Sequence, residues 1–323
     1  MPFTPTEGKC TGFEQQSLEI TPSGLRQTAT IDTTIFHTGV ASVRVGGTGY
    51  FYVDISGSDL YIAFWGYLNT VTGGQRFDIY LDDGNWLSLR VDAGGRWDAY
   101  VGGLNVANGI IAISINTWFN MKIHVVIANA GSITTKIDGI DDIAYSGDTQ
   151  PGASTNIDYI GPYSANGGEY FYWDDVSIGT GDWPGDIRYD PVFPSADTAT
   201  EEWTRSAGAD TWDLINEVPP SDADYIYSEL TGDQSIVGLT DWDDTGKTPL
   251  FVTTWCRALK DEAAAHQIIL IDSNGVNTRY SLAKDLLTSA SYIATLLTTA
   301  PDGTVWDNAD VDSLQVGVES VIV

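Results

Sequence analysis

The sequence predicts an all-β protein made of two β-sandwich domains, and three observations support this prediction. Short segments rich in aromatic and β-branched residues recur about every ten residues and are separated by Gly and Asp. The 34 Gly, 11 Trp and 16 Tyr suit short strands joined by tight turns. Asp supplies 34 of the 44 acidic residues, and Asp favours turns whereas Glu favours helix interiors. At 323 residues, the chain is long enough for two cores.

The net charge of −29 bears on the choice of partners. A chain this acidic repels nucleic acid and anionic lipid, so we expect neither nucleic-acid binding nor membrane insertion. No apolar stretch approaches the roughly 18 residues of a membrane span.

The N-terminus lacks a basic region followed by an apolar run, so no signal peptide is expected. Cys10 and Cys256 are far apart in the sequence, which predicts two reduced structural cysteines.

In the first half of the chain, residues 1–11 are interpreted as an N-terminal arm and residues 12–182 as the first sandwich. Asp83-Gly84 is a hairpin-type turn between two predicted strands, and no helix is predicted in this half. The predicted strands are residues 26–32, 37–45, 49–55, 59–68, 75–82, 85–91, 96–101, 117–127, 132–137, 157–160 and 169–178.

The stretch from Glu169 to Pro191 begins as a strand and ends in chain breakers. Gly179, Gly181, Pro184 and Gly185 follow the aromatic run, so a domain boundary is expected after residue 182. Neighbouring side chains on a strand point to opposite faces. Asp174 and Asp175 are therefore expected to be structural rather than a pair of cooperating acids.

Three phrases in this half have the order and spacing of a known family. They are H-T-G-V-A-S-V-R-V at 37–45, T-W-F-N-M-K-I-H-V-V-I with S-I-T-T-K-I-D-G at 117–139, and Y-F-Y-W-D-D-V-S-I at 170–178. Together they resemble laminin-G-like, concanavalin A-like jelly rolls over about residues 10–180. The resemblance implies a jelly-roll sandwich.

The second half, residues 183–323, is predicted to form a second β-sandwich. Residues 282–298 have the best helical composition of this half, but their many Thr and Ser residues make a strand-loop-strand arrangement an equal alternative. The predicted strands are residues 234–240, 249–258, 266–272, 277–282 and 313–323.

This half carries a second resemblance. Its phrases are D-D-V-S-I at 174–178, which forms the junction, then P-G-D-I-R at 184–188, W-T-R-S-A-G at 203–208, E-V-P-P-S-D-A-D-Y-I at 217–226 and K-D-E-A at 260–263. In this order they resemble a module of tailed-bacteriophage structural proteins, where it commonly follows a laminin-G-like jelly roll. The resemblance implies a component of the virion.

Catalysis is one possible function, because concanavalin A-like folds include glycosidases. A retaining glycosidase needs two carboxyl groups about 5 Å apart, whereas Glu201 and Glu202 are adjacent and would face opposite sides of a strand. The sequence has no G-x-S-x-G, H-E-x-x-H or C-x-x-C motif, and His37, His124 and His266 are scattered. The sequence therefore predicts a protein without enzymatic activity.

Calcium is the one cofactor that the sequence leaves open, because loop carboxylates and carbonyls suit this cation. None of the Asp-rich loops has the spacing of a calcium-binding hand, and their alternative interpretation is solvated turns. The candidate loops are Asp82–Asp83, Asp138–Asp142, Asp241–Asp244 and Asp307–Asp312.

Trp86, Trp97 and Tyr100 lie on adjacent predicted strands and are the candidate carbohydrate-binding residues. On an exposed face, their rings would stack on sugars. The alternative is that they belong to the core, because sandwiches need aromatic residues between their sheets.

The function predicted from these observations is that of a non-enzymatic phage virion surface protein, associated with the tail or a fibre. It would contribute to particle structure and to host-surface attachment. Its expected partners are other virion proteins, further copies of itself and a host-surface glycan. Two alternatives remain open: a capsid-decoration or head-fibre protein, and a stand-alone carbohydrate-binding module.

Overall fold

The computed structural model describes residues 3–6, 13, 26–243, 245–261 and 264–322. The chain divides into two compact units, Met1–Tyr189 and Asp190–Val323. The division lies further along the chain than the expected boundary after residue 182. Within the described residues, no helix is long and apolar enough to cross a membrane.

The first unit is one antiparallel system of fourteen strands. Its strands are β1 (Thr4–Pro5), β2 (Arg26–Asp32), β3 (Ser42–Phe51), β4 (Val53–Gly57), β5 (Asp59–Leu68), β6 (Gln75–Leu81), β7 (Trp86–Val91), β8 (Arg96–Val101), β9 (Leu104–Ala112), β10 (Trp118–Val126), β11 (Gly131–Ile137), β12 (Ile140–Gly147), β13 (Ile157–Ser164) and β14 (Tyr170–Thr180).

The strand order is β12-β11-β10-β5-β14-β3-β13-β6-β7-β8-β9. The path folds over on itself, so that side chains from its two halves meet in one core. Phe64 of β5 stacks on Phe77 of β6 with ring centroids 4.9 Å apart. Trp97 of β8 contacts Phe171 of β14 at 5.9 Å. All four side chains are buried, which confirms the predicted jelly-roll sandwich.

Two strands at the ends of this path, β9 and β12, are absent from the sequence prediction. The residues of β9 are mostly exposed or half-buried, so the strand lacks the apolar alternation that identifies strands in a sequence. Asp142 of β12 instead links β12 to β9. Its Oδ1 accepts hydrogen bonds from the backbone N–H of Ile110 at 2.7 Å and of Ile111 at 2.8 Å.

Part of the predicted N-terminal arm is also a strand. Thr4 and Pro5 pair with Thr180 and Gly179 at the end of β14. The rest of the arm, including Cys10, lies outside the described residues except for Phe3 and Thr6.

The second unit contains a sheet of order β15-β18-β24-β20-β21, on which β22 also pairs with β20, together with the two-stranded pairs β16–β17 and β19–β23. Its elements are β15 (Pro194–Glu201), β16 (Thr204–Arg205), a 3₁₀ turn (Trp212–Leu214), β17 (Ile226–Tyr227), β18 (Gln234–Leu239), β19 (Val252–Ala258), β20 (His266–Ser273), β21 (Thr278–Tyr280), β22 (Lys284–Asp285), β23 (Ser291–Leu297), α1 (Asn308–Asp312) and β24 (Gln315–Ile322).

The β19–β23 pair packs against the larger sheet of this unit. Ile293 of β23 lies in one apolar cluster with Ile268 and Leu270 of β20. Leu297 lies in a second cluster with Trp306, whose indole Nε1–H donates to the Leu297 carbonyl at 2.8 Å. The unit is therefore a β-sandwich, as predicted, and residues 282–298 adopt the strand-loop-strand alternative.

The core of the second unit contains a buried carboxyl group at Asp272 of β20. Its side chain is 1% exposed, and its Oδ1 accepts a 2.6 Å hydrogen bond from the Thr254 hydroxyl. Its Oδ2 has no partner among the described residues. Burial raises the pKa of Asp272, and the opposing effects of Thr254 and Arg279 are smaller.

Asp272→Asn is expected to change how the stability of the second unit depends on pH. An acid whose pKa is raised by folding destabilises the folded state increasingly as pH rises from its ordinary value of 3.8 through the folded value, and by a constant amount above it. Asn mimics the protonated acid, so the stability of the variant relative to the native chain should rise over that window. Urea unfolding at a series of pH values measures this difference, and a difference independent of pH would contradict the assignment.

Candidate functional site

Strands β13, β6, β7 and β8 lie side by side and present two chemically different faces. Phe77 and Leu89 point into the sandwich and are buried. Residues an odd number of positions away, such as Arg76 and Trp86, point outward and are half-buried. This alternation follows from the period of two along a strand.

Arginine and aromatic side chains alternate across the outward side of these strands. The guanidinium of Arg76 lies 3.8 Å from the centre of the Tyr163 ring and 5.8 Å from that of Trp86. The guanidinium of Arg90 lies 4.9 Å from Trp86 and 4.2 Å from Tyr100. We call this surface the aromatic–arginine face and define it as Arg76, Tyr80, Trp86, Arg90, Tyr100 and Tyr163.

Asp78 lies between Arg76 and Tyr80 on β6 and anchors the aromatic–arginine face. It is fully buried, and its Oδ2 accepts hydrogen bonds from the Tyr52 hydroxyl at 2.7 Å and from Arg76 Nε at 2.9 Å. Burial raises the pKa of Asp78, and the Arg76 charge opposes that effect. Burial and the Asp78 carboxylate together raise the pKa of the Tyr80 hydroxyl. These contacts hold the Arg76 guanidinium in place against the sheet.

The predicted binding residues separate into two groups. Trp86 and Tyr100 lie on the aromatic–arginine face and are half-buried. Trp97 lies on the opposite side of β8, is 0% exposed and contacts Phe119 at 6.1 Å. This corrects the candidate set, because a ring enclosed in the core cannot stack on a sugar.

Sequence reasoning missed four members of the face, Arg76, Tyr80, Arg90 and Tyr163. The even spacing of Arg76, Asp78 and Tyr80 on one strand was a usable signal, because these residues must share a side of the sheet. Tyr163 had no such signal. It is opposite Arg76 only because β13 pairs with β6, which is a tertiary event.

The outward side of the other sheet is covered by the chain segment at 183–189. Lys122 Nζ donates to the Pro184 carbonyl at 2.7 Å, and the Trp183 ring contacts Tyr61 at 5.4 Å. His124 stacks on Tyr61 with ring centres 4.0 Å apart, and its Nε2 lies 2.9 Å from Asp59 Oδ1. These residues are part of a packed surface beneath the segment that ends the first unit.

Asp174 and Asp175 lie in a β-bulge of β14. Both side chains are almost completely buried. Asp174 accepts the backbone N–H of His37 at 2.8 Å. Asp175 accepts the Thr38 hydroxyl at 2.7 Å and the Tyr189 N–H at 3.0 Å. Their carboxylates therefore hold neighbouring chain segments in place.

In two of the Asp-rich loops that were candidate calcium sites, a carboxylate accepts backbone N–H groups, as Asp174 and Asp175 do. Asp83 accepts the backbone N–H groups of Asn85, Ala153 and Ser154, which lower its pKa to about 2. Asp307 caps helix α1 by accepting the N–H of Asp310. Within the described ranges, which omit Asp244 of the third candidate loop, no group of three or more His, Cys, Asp or Glu side chains could hold a metal ion. Calcium binding remains a prediction.

The described cysteine, Cys256, is a structural thiol in this geometry. It packs against the apolar cluster of Ile268, Leu270 and Ile293. Burial raises the pKa of the Cys256 thiol to about 12, so the reactive thiolate is not formed near neutral pH.

The chain was compared with known proteins. No family model matches the sequence, and no curated protein matches it. Solved structures resemble it in fold. A sialidase has a TM-score of 0.42 at 11% identity, over 56% of this chain and 18% of its own. The alginate lyase Aly36B has a TM-score of 0.41 at 12% identity, over 55% of this chain and 94% of its own. The carbohydrate-binding module CBM66 from Bacillus subtilis has a TM-score of 0.37 at 15% identity, over 55% of this chain and 100% of its own.

These likenesses correct one prediction made from the sequence. The sequence predicts that the protein is not an enzyme. That prediction is wrong, because structures of similar fold include a sialidase and alginate lyases. The missing motifs were those of glycosidases, serine hydrolases and zinc enzymes, which are only a part of the chemistry that a β-sandwich can support. The fold is one that enzymes share with non-catalytic carbohydrate-binding modules.

Proposed function

We propose that the aromatic–arginine face of the first unit binds carbohydrate. The observation that carries this proposal is the row of half-buried rings and guanidinium groups across four adjacent strands. Half-buried aromatic rings offer flat apolar surface for the C–H faces of sugars. Guanidinium groups offer several N–H donors in a fixed plane for sugar oxygens.

The rigidity of this face favours binding. Trp86 lies between two guanidinium groups, and Tyr163 lies beneath Arg76. Strands hold these side chains more firmly than loops would, so less conformational entropy is lost when a sugar binds. A flat sheet face also suits an extended saccharide chain that contacts several rings at once.

Trp86→Ala and Tyr100→Ala are each expected to weaken glycan binding by more than about tenfold, because buried aromatic contacts dominate binding energy. A glycan array followed by calorimetric titration of the full chain measures this effect. Tyr67→Ala is the matched control. Tyr67 is a half-buried tyrosine on the other sheet, where it contacts Trp118 and Tyr172.

If Tyr67→Ala weakens binding as much as Trp86→Ala does, the face is not the binding surface. If no glycan on the array binds the native chain, the proposal fails. The glycans are recovered after each titration and examined for cleavage, because enzymes are among the proteins of similar fold.

A second proposal places this binding face on a phage virion, and it rests on the phrases of residues 174–323 that resemble phage structural modules. In this proposal the first unit attaches the particle to a host-surface glycan. The second unit and further copies of the chain make contacts with other virion proteins. The tail or fibre position and capsid decoration are its two forms. Electron microscopy of particles labelled with an antibody against this chain tests it, and labelling of neither head nor tail would overturn it.

A further inference from the structure

We infer that the aromatic–arginine face selects acidic saccharides and that Arg90 binds the sugar carboxylate. This inference rests on the proposed carbohydrate binding and adds the class of the ligand. It comes from the arrangement of charge on the face.

Arg76 and Arg90 are directly opposite each other on the paired strands β6 and β7. Like charges at directly opposed positions destabilise a sheet. The two arginines therefore repel each other across the strand pair. The chain has only 15 Lys and Arg residues and a net charge of −29, so acidic residues that could offset this repulsion are abundant.

The two arginines differ in their contacts with acidic side chains. Arg76 forms an ion pair with buried Asp78, at 2.9 Å from Nε to Oδ2. Arg90 donates from Nε to the Ser88 hydroxyl at 3.0 Å. No ion pair of Arg90 is found in the part of the chain that the structure describes, although Asp98 is its direct neighbour on β8.

Ring contacts, and not an ion pair, hold Arg90 in place, although its charge helps to lower the pKa of nearby Asp78. Its guanidinium lies between the rings of Trp86 and Tyr100, at 4.9 Å and 4.2 Å from their centres. Rings fix the position of a guanidinium and leave its charge intact. A carboxylate matches the fork of N–H donors that remains, and a ring carboxylate of a uronic acid brings such a group alongside sugar C–H surface for stacking.

The test uses saccharides that differ only in charge. Tetrasaccharides of galacturonate, glucuronate and mannuronate are titrated into the full chain by calorimetry, each beside its methyl ester, which retains the sugar and removes the charge. Neutral galactose and glucose tetrasaccharides and a sulfated galactose tetrasaccharide complete the panel. At least one acid is expected to bind about tenfold more tightly than its ester, because charge-assisted hydrogen bonds are roughly twice as strong as neutral ones.

Arg90→Gln should abolish the preference for the acid over the ester, so that it weakens binding of the acid by about tenfold more than it weakens binding of the ester. Arg90→Lys should restore only part of the preference, because an ammonium group lacks the planar fork. Arg44→Gln is the matched control. Arg44 lies over the Tyr170 ring at 5.3 Å and forms an ion pair with Asp32, so its replacement should leave the preference intact.

Each outcome separates this inference from the proposal beneath it. Equal binding of acids and esters by the native chain would overturn the acidic class and leave carbohydrate binding standing. Loss of the preference in Arg44→Gln would overturn the assignment of the carboxylate to Arg90. Binding of the sulfated saccharide without any of the carboxylated ones would overturn the assignment of a carboxylate. Failure of every saccharide in the panel and of every glycan on the array would overturn both.

Discussion

Trp97→Ala is expected to lower the free energy of unfolding of the first unit by about 3 to 5 kcal/mol, the usual loss when a large aromatic side chain is removed from a core. The ring is fully buried and contacts Phe119 and Phe171 from the facing sheet. Its removal leaves a cavity between two sheets whose backbones are fixed by their hydrogen bonds. Chemical denaturation followed by fluorescence and circular dichroism measures the change.

Trp86→Ala is the matched control for this experiment, because Trp86 lies on the neighbouring strand and points outward. Its expected cost in stability is about 1 kcal/mol or less, as for other partly exposed positions. Trp97→Ala should therefore lose stability, whereas Trp86→Ala should lose glycan binding. A loss of stability in Trp86→Ala as large as that in Trp97→Ala would contradict the division of the sheet into a core face and a binding face.

Asp175→Ala is expected to cost about 3 kcal/mol, since buried donors that lose their acceptor carry a penalty of roughly 1 to 3 kcal/mol each. The Asp175 carboxylate is 1% exposed. It accepts the Thr38 hydroxyl and the Tyr189 N–H, and its Oδ2 lies 2.7 Å from His37 Nδ1. The residue also has a φ of +48°, a conformation that Asp tolerates better than Ala.

Asp175→Asn is the matched variant for this position. It keeps the size of the side chain, one acceptor oxygen and the tolerance of positive φ, so it should lose less stability than Asp175→Ala. Limited proteolysis gives a second measurement. The alanine variant should be cut sooner in the segments around His37 and Tyr189, which the carboxylate holds. If cutting is unchanged, the carboxylate does not secure these segments.

Much of the fold could be predicted from residue patterns, because a strand repeats every two residues. Phe77 and Ile79 alternate with Arg76 and Asp78, and this pattern predicts a strand with one apolar side. Two of the strands that escaped prediction, β9 and β12, have weak apolar alternation because they lie at the two ends of the sheet path. The contacts that join these edges include hydrogen bonds that Asp142 accepts from backbone N–H groups. Such contacts give no periodic pattern in a sequence.

The candidate site was only partly predictable for a related reason. Trp86 and Trp97 have similar sequence surroundings, since each lies within a short aromatic and apolar strand. The register between β7 and β8 sets Trp97 opposite Val91, whose side chain is buried, and so directs Trp97 into the core. A shift of one residue would reverse the two roles.

The sequence by itself determined the all-β class, the presence of two sandwich units and which residues within each strand share a side. These properties follow from local composition and from the period of two along a strand. The tertiary structure alone decided which side faces the core and which side chains from distant strands meet. Arg76 meets Tyr163 and Arg90 because β6 pairs with both β13 and β7, and strand pairing depends on the packing of the whole sheet.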